Sequence, residues 1–253
     1  MRKLSRQNQE EKQKKYFGKE FSSKSSYTLK PWQVTQLSRI KKSLNLENYQ
    51  NKTVLDLGTG SGYVAVELAK LGLKVIAVDL TPEAIENLEK YKKEYGLTTL
   101  ELFISSAEKL PLKDNSVDYI VSNAILEHIN EEDQAITEWK RVLRPGGKMF
   151  ITVPLKFRYI WPFLWPLNYF HDKRIGHLRR YDQQSLSQKF GQIPLKVYYS
   201  GHLVKVFGVL LTLIFSIGEK FENYLEMMDQ RSEQNPYGAN NISVVFQIGK
   251  RIS

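Results

Sequence analysis

Cysteine is absent from the 253 residues. Disulfides, thiolate zinc sites, iron–sulfur clusters and a cysteine nucleophile are excluded together, and the absence fits a reducing compartment such as the cytosol. Histidine is scarce, four in all, and none stands at ligand spacing from a carboxylate, so no metal is expected. No run reaches the roughly 20 apolar residues of a membrane span. The nearest is 206–217, V-F-G-V-L-L-T-L-I-F-S-I. It is apolar nearly all round, which is unusual for a surface helix. Core, dimer interface and interfacial membrane anchor all stand as uses for it. The basic N-terminal fifteen residues lack the apolar stretch that a secretory signal needs.

What is present is an ordinary globular composition, 42% hydrophobic and 25% charged, so neither a disordered nor a collagen-like chain is in question. The net charge of +10 is unevenly spread. Residues 1–30 carry +6, residues 31–153 carry −2 and residues 154–253 carry +6. This divides the chain into a basic N-terminal tail, 1–30, and one domain, 31–253. The tail is read as solvated, with a basic arm for lipid or nucleic acid as the alternative.

From residue 53 the pattern alternates between strand and helix. Strands are expected at 53–57, 74–78, 100–104, 117–121 and 148–153. Helices are expected at 62–71, from Thr81 and Pro82 onward, and at 131–142. A turn is expected at Pro145-Gly146-Gly147. Strands separated by such helices imply a parallel sheet with right-handed crossovers. Past Pro154 the rhythm breaks into W-P-F-L-W-P (161–166) and a basic stretch. Asp182 then caps a helix through Phe190, a strand follows at 195–200, a long helix at 202–228, a loose polar loop at 229–240 and a strand at 242–250.

The segment Asp56-Leu57-Gly58-Thr59-Gly60-Ser61-Gly62 joins the first strand to the first helix of this series. In an open parallel sheet, ligands bind beyond the carboxyl ends of the strands. A dinucleotide loop wants G-x-G-x-x-G, and Tyr63 occupies its third glycine position. No P-loop lysine follows. The loop is therefore nucleotide-like without being built for a pyrophosphate, and a purely structural glycine turn stays open. Asp79 ends the second strand, where a carboxylate can accept from both hydroxyls of a ribose. Capping of the following helix is its other reading, although Thr81 is available for that.

Five segments fall in order: V-L-D-L-G-T-G-S-G (54–62), V-I-A-V-D (75–79), S-A-E-K-L-P-L-K-D-N-S-V-D (106–118), N-A-I-L-E-H-I (123–129) and R-V-L-R-P-G-G (141–147). Together they resemble the class I S-adenosylmethionine-dependent methyltransferases, in the small-molecule and lipid branch that includes the ubiquinone/menaquinone enzymes. The resemblance covers about residues 30–154. It implies a Rossmann-like, doubly wound and mostly parallel seven-stranded sheet with an antiparallel last strand, plus a helical and aromatic insertion after the fifth strand. The cofactor-binding core would be 50–154, and the substrate-side insertion and C-terminal part 155–253. The cofactor implied is S-adenosyl-L-methionine. The loop of Gly58, Thr59, Gly60 and Gly62 would lie under its methionine portion, and Asp56 would face the ammonium. Asp79 would hold the ribose, Leu80 would pack on the adenine, and Ala107 would offer it a backbone N–H. Asn123 would lie at the methionine end. Ser106 stands where the family usually has Asp or Asn, which shortens its reach to the adenine amino group. Glu108 is a further lining residue or a surface acid.

Methyl transfer is an in-line displacement at a sulfonium, so the protein mainly positions the partners. His128 and His177 are the candidate bases, with pocket lining as the other role for His128. The segment G-H-L-R-R-Y-D resembles an element over the substrate side of the cleft in this branch. His177, Arg180 and Tyr181 are accordingly read as substrate-binding residues, against a loop merely held by arginine–carboxylate pairs and a core tyrosine. Residues 154–205 hold nine bases and two acids beside several aromatics. That mixture suits a membrane interface or single-stranded nucleic acid. The apolar run at 206–217 favours lipid or a greasy substrate. The expected activity is methylation of a small or lipid-linked acceptor, in the cytoplasm or peripherally on the inner membrane face. A non-catalytic binding module and a nucleic-acid methyltransferase are the alternatives.

Overall fold

The structure is a computed structural model, and it describes residues 2–22, 27–46, 51–202 and 219–249. The apolar run 206–217 lies outside the described residues. Seven strands form one sheet in the order β3-β2-β1-β4-β5-β7-β6. They are β1 (Thr53–Leu57), β2 (Lys74–Asp79), β3 (Leu100–Ile104), β4 (Val117–Asn123), β5 (Leu143–Pro154), β6 (Lys196–Ser200) and β7 (Asn241–Gln247). The first five pair in parallel, and β7 runs antiparallel between β5 and β6. The doubly wound expectation is borne out, including the reversed last strand.

Residues of β1 are buried on both faces, as a sheet covered by helices on both sides demands. Val54 packs in one core with Val75, Ala77, Val64 and Leu68, beneath α2 (Pro31–Leu44) and α3 (Tyr63–Lys70). Leu55 and Leu57 point to the other, with Ile76, Val78 and Trp139 of α5 (Glu132–Val142). Strand periodicity thus splits one apolar run between two cores.

Three expectations need correcting. The Pro145-Gly146-Gly147 turn lies within β5 as a bulge. Val117 pairs with Leu143 and Tyr119 with Lys148, so the intervening residues loop out opposite Asp118. A β-carbon on Gly147 would stand 2.8 Å from the Asp118 carbonyl oxygen, which is why glycine fits there. Asp229 is not in a loose loop. It is 1% exposed, near the end of α8 (Glu219–Arg231), and accepts from the backbone N–H groups of Gly201 and His202. The N-terminal tail is not simply solvated, for residues 2–22 form a helix, α1 (Arg2–Ser22), packed on α4 (Pro82–Glu94).

The insertion after β5 holds α6 (Trp165–Ile175) and α7 (Gln183–Phe190). Asp182 caps α7 as expected, accepting from Ser185 N–H at 2.8 Å. Among the described residues, no helix is long and apolar enough to cross a membrane.

Candidate active site

Loop β1–α3 is pinned to the tip of β2. The N–H groups of Gly58 and Thr59 both donate to the Val78 carbonyl, at 2.7 and 3.1 Å. Gly58 has φ +64°, and a β-carbon there would lie 1.9 Å from Ile125 Cδ1. Gly62, at φ +78°, would meet Leu88 Cδ2 at 2.4 Å. Both positions therefore need glycine for conformation and for space. Asp79 accepts from Gly60 N–H at 2.9 Å and from Thr81 N–H at 2.8 Å. Thr81 sits at the N-cap of α4 without making a side-chain cap. Its hydroxyl is spent on Asp79 instead, so the expected Thr81 cap is not formed.

Above this loop lies a cavity of about 400 Å³. Asp56, Gly58, Thr59, Gly60, Asp79, Leu80, Ser106, Ala107, Glu108 and Asn123 all line it. Of the residues expected at the cofactor, Gly62 alone stands back from the lining, at the N-cap of α3. Burial pushes the Asp56 carboxyl up to about 7, against a hydrogen bond from Thr59 Oγ1 at 2.7 Å. Burial also raises Asp79, against the N–H donors of Gly60 and Thr81. Two buried carboxylates at one end of a cavity suit a ligand bearing a cationic group and hydroxyls. Ser106 Oγ donates to Glu108 Oε2 at 2.5 Å, so its hydroxyl hydrogen is already engaged. Asn123 donates to the Tyr63 hydroxyl at 2.9 Å and accepts from Gln36 at 3.3 Å.

Helix α1 covers this cavity, and the sequence reading missed it. Gln13, Phe17 and Phe21 line the cavity from α1. A β-carbon on Gly60 would lie 3.3 Å from the Phe21 ring. The Phe17 ring meets His128 edge-on at 5.4 Å, and Gln13 Nε2 donates to the carbonyls of His128 and Gly176. Asn87 of α4 donates to the Phe21 carbonyl at 2.8 Å and ties the helix down. The available signal was the i, i+4 spacing of Phe17 and Phe21 in an otherwise polar stretch.

Beside the cavity, around His128, lies a polar cluster. His128 lines the cavity, and burial holds its imidazole down at about 4, with a smaller push from His177. His177 stacks edge-on against it, with ring centroids 4.8 Å apart. Arg180 and Tyr181, expected at the substrate, do not line the cavity. Arg180 donates to both oxygens of Asp172 at 2.6 and 2.8 Å, to the Leu155 carbonyl and to Asn168. Tyr181 is 3% exposed and donates to Glu132 at 2.7 Å. These pairs hold the insertion to the sheet, and four of the five N–H donors of Arg180 are spent on them. Glu127, unremarked in the sequence reading, is fully buried beside His177.

Residues 55–151 match the family model described as a methyltransferase domain. An uncharacterized methyltransferase of Mycobacterium tuberculosis (strain H37Rv) is 40% identical over 98 residues, covering 39% of this chain and 38% of that protein. The demethylmenaquinone methyltransferase of Chlorobaculum tepidum is 32% identical over 125 residues, covering 49% of each. The chain thus spans less than half the length of these curated relatives. The solved geranyl diphosphate C-methyltransferase of Streptomyces coelicolor, in complex with geranyl diphosphate and S-adenosyl-L-homocysteine, superposes with a TM-score of 0.63. It is 14% identical, covering 84% of this chain and 76% of that one, which is a likeness of fold. By sheet order, glycine loop and family match together, residues 55–151 form a class I S-adenosylmethionine-dependent methyltransferase domain.

Proposed function

We propose that the chain binds S-adenosyl-L-methionine in the cavity over the β1–α3 loop and transfers its methyl group to a small or lipid-linked acceptor. One observation carries the reading: the positive-φ glycine loop and the two buried carboxylates, Asp56 and Asp79, converge on one cavity. Asp79 accepts from the ribose hydroxyls, in exchange for the Thr81 hydroxyl that it now holds. Asp56, ionised, faces the ammonium. In the displacement the acceptor's lone pair forms the new bond to the methyl carbon. The carbon–sulfur bond breaks with its electrons staying on sulfur, and S-adenosylhomocysteine leaves. Enclosure beneath α1 keeps water from the sulfonium. His128 lines the acceptor end of the cavity, where its ring packs against the bound acceptor.

The lipid-linked acceptor draws support from the surface of the insertion. Trp161, Phe163, Trp165, Leu167, Tyr169 and Phe170 are all exposed, and Lys173 sits 4.8 Å over the Tyr169 ring. Aromatic side chains beside bases suit an anionic bilayer face, which would place the protein peripherally on the inner membrane face of the cytoplasm. Two measurements test the reading. Calorimetry should detect S-adenosylhomocysteine binding and no NAD binding. Flotation with anionic vesicles should carry the protein upward at low salt and release it at high salt. No S-adenosylhomocysteine binding by folded protein ends the proposal, and protein left in the soluble fraction at low salt ends its membrane part.

A further inference from the structure

Glu127 is 0% exposed, and neither of its carboxylate oxygens has a hydrogen-bond partner. An unpartnered carboxylate out of water is costly and calls for a proton or a cation. His177 Nε2 lies 3.6 Å from Glu127 Oε1. That is too long for a hydrogen bond. It is close to the roughly 3.4 Å between two ligands that each stand about 2.1 Å from one tetrahedral ion. His128 completes the set: one donor atom from each of Glu127, His128 and His177 lies within 4.8 Å of the others.

The surroundings fit ligands rather than a chance cluster. His177 Nδ1 is 2.8 Å from Asp172 Oδ1, so its proton belongs on Nδ1 and Nε2 presents a lone pair. A carboxylate on the far nitrogen is the usual support of a metal-bound imidazole. Asp172 is itself fixed by the two hydrogen bonds from Arg180. Gln13 Nε2 lies 3.4 Å from His128 Nδ1, and the His128 ring stands edge-on to that of His177 with centroids 4.8 Å apart. Leu178 N–H donates to the Glu127 carbonyl at 2.9 Å and locks the insertion onto the residue after β4 that carries the carboxylate.

We propose that Glu127, His128 and His177 form a site for a first-row divalent transition ion at the acceptor end of the cavity. Asp172 is a positioning residue that acts through His177. Two imidazoles and one carboxylate leave coordination positions open. His128 lines the cofactor cavity, so those positions face an acceptor that offers oxygen, a hydroxyl or enol. The acceptor's part rests on the methyltransferase reading, whereas ion binding does not.

The test uses the full chain, stripped of metal and titrated with Zn²⁺ by calorimetry. One ion per chain is expected. Glu127→Gln and His177→Ala should weaken it by more than about 100-fold, and Asp172→Asn by about 10- to 100-fold, the usual range for an outer-shell partner. S-adenosylhomocysteine binding, measured on the same samples, should persist in all three variants and shows that they are folded. Should a variant fail to fold, zinc-soaked crystals of the unaltered chain decide. Anomalous density about 2.0–2.2 Å from all three side chains supports the site, and density elsewhere or none overturns it. Failure of the unaltered chain to bind Zn²⁺ while binding S-adenosylhomocysteine overturns the ion site and leaves the methyltransferase reading intact. Zinc bound at the three residues without any cofactor binding supports the ion site and removes the methyltransferase reading.

Discussion

The Asp79 carboxylate holds the Gly60 N–H at 2.9 Å, so the residue that ends β2 also shapes the loop that ends β1. Asp79→Ala removes that tether and the acceptor for the ribose hydroxyls in one step. Hydrogen bonds to a charged group contribute about 1.5–3 kcal/mol, so affinity for S-adenosylhomocysteine should fall roughly 10- to 150-fold. Calorimetry showing unchanged affinity would remove Asp79 from the site.

Cofactor affinity should depend on pH through Asp56. Burial raises its carboxyl to about 7, well above the ordinary carboxylate range. In the ligand-free protein this contribution to stability is fully present below the unfolded value and is lost as pH rises through about 7. A ligand ammonium reverses the preference, because it favours the ionised form. Binding should therefore weaken by about tenfold per pH unit below 7 and level off above it. Asp56→Asn should flatten the profile, and a mutant that kept the wild-type slope would assign the proton to another group.

Arg180 should matter for folding rather than for substrate. Its side chain is 7% exposed and saturates Asp172. Removing one partner of a buried ion pair costs about 3–5 kcal/mol. Arg180→Ala should lower the melting temperature sharply, and Lys should restore little, because it cannot reproduce the two-pronged geometry. A stable Arg180→Ala protein with a raised KM for its acceptor would return Arg180 to the substrate side.

Helix α1 should govern ligand residence. Asn87→Ala deletes the hydrogen bond to the Phe21 carbonyl, a change of about 1 kcal/mol. Dissociation of S-adenosylhomocysteine should quicken several-fold in stopped-flow, with Phe21→Ala acting in the same direction. Unchanged dissociation in both variants would show that α1 does not retain the ligand.

The sheet and the cofactor residues were legible because they are local. Strand alternation, the glycine spacing and an acid at the end of β2 each sit within a few residues of sequence. The rest is tertiary. Glu127 and His128 are neighbours, but His177 reaches them only when the insertion folds back and Leu178 bonds to Glu127. Nothing in G-H-L-R-R-Y-D distinguishes a histidine that faces Glu127 from an arginine that faces Asp172. Helix α1 was illegible for another reason. It is polar and its first turn holds no acid, so it offers little more than two phenylalanines to show that it docks.

The antiparallel seat of β7 has a consequence for synthesis. β5 pairs with β7 from Lys148–Gln247 through Pro154–Asn241, while β6, made earlier, reaches the sheet only through β7. As the chain leaves the ribosome, β5 is complete while roughly 90 residues are still to come before its outer neighbour, and such long-range pairing is slow and aggregation-prone. Its outer hydrogen-bonding edge, with Phe150, Ile151 and Val153 close by, stays open for that interval. Residues 241–247 are then the clasp that closes it. A ribosome stalled short of them would present a chaperone with the β1–β5 half of the sheet and one unpaired edge.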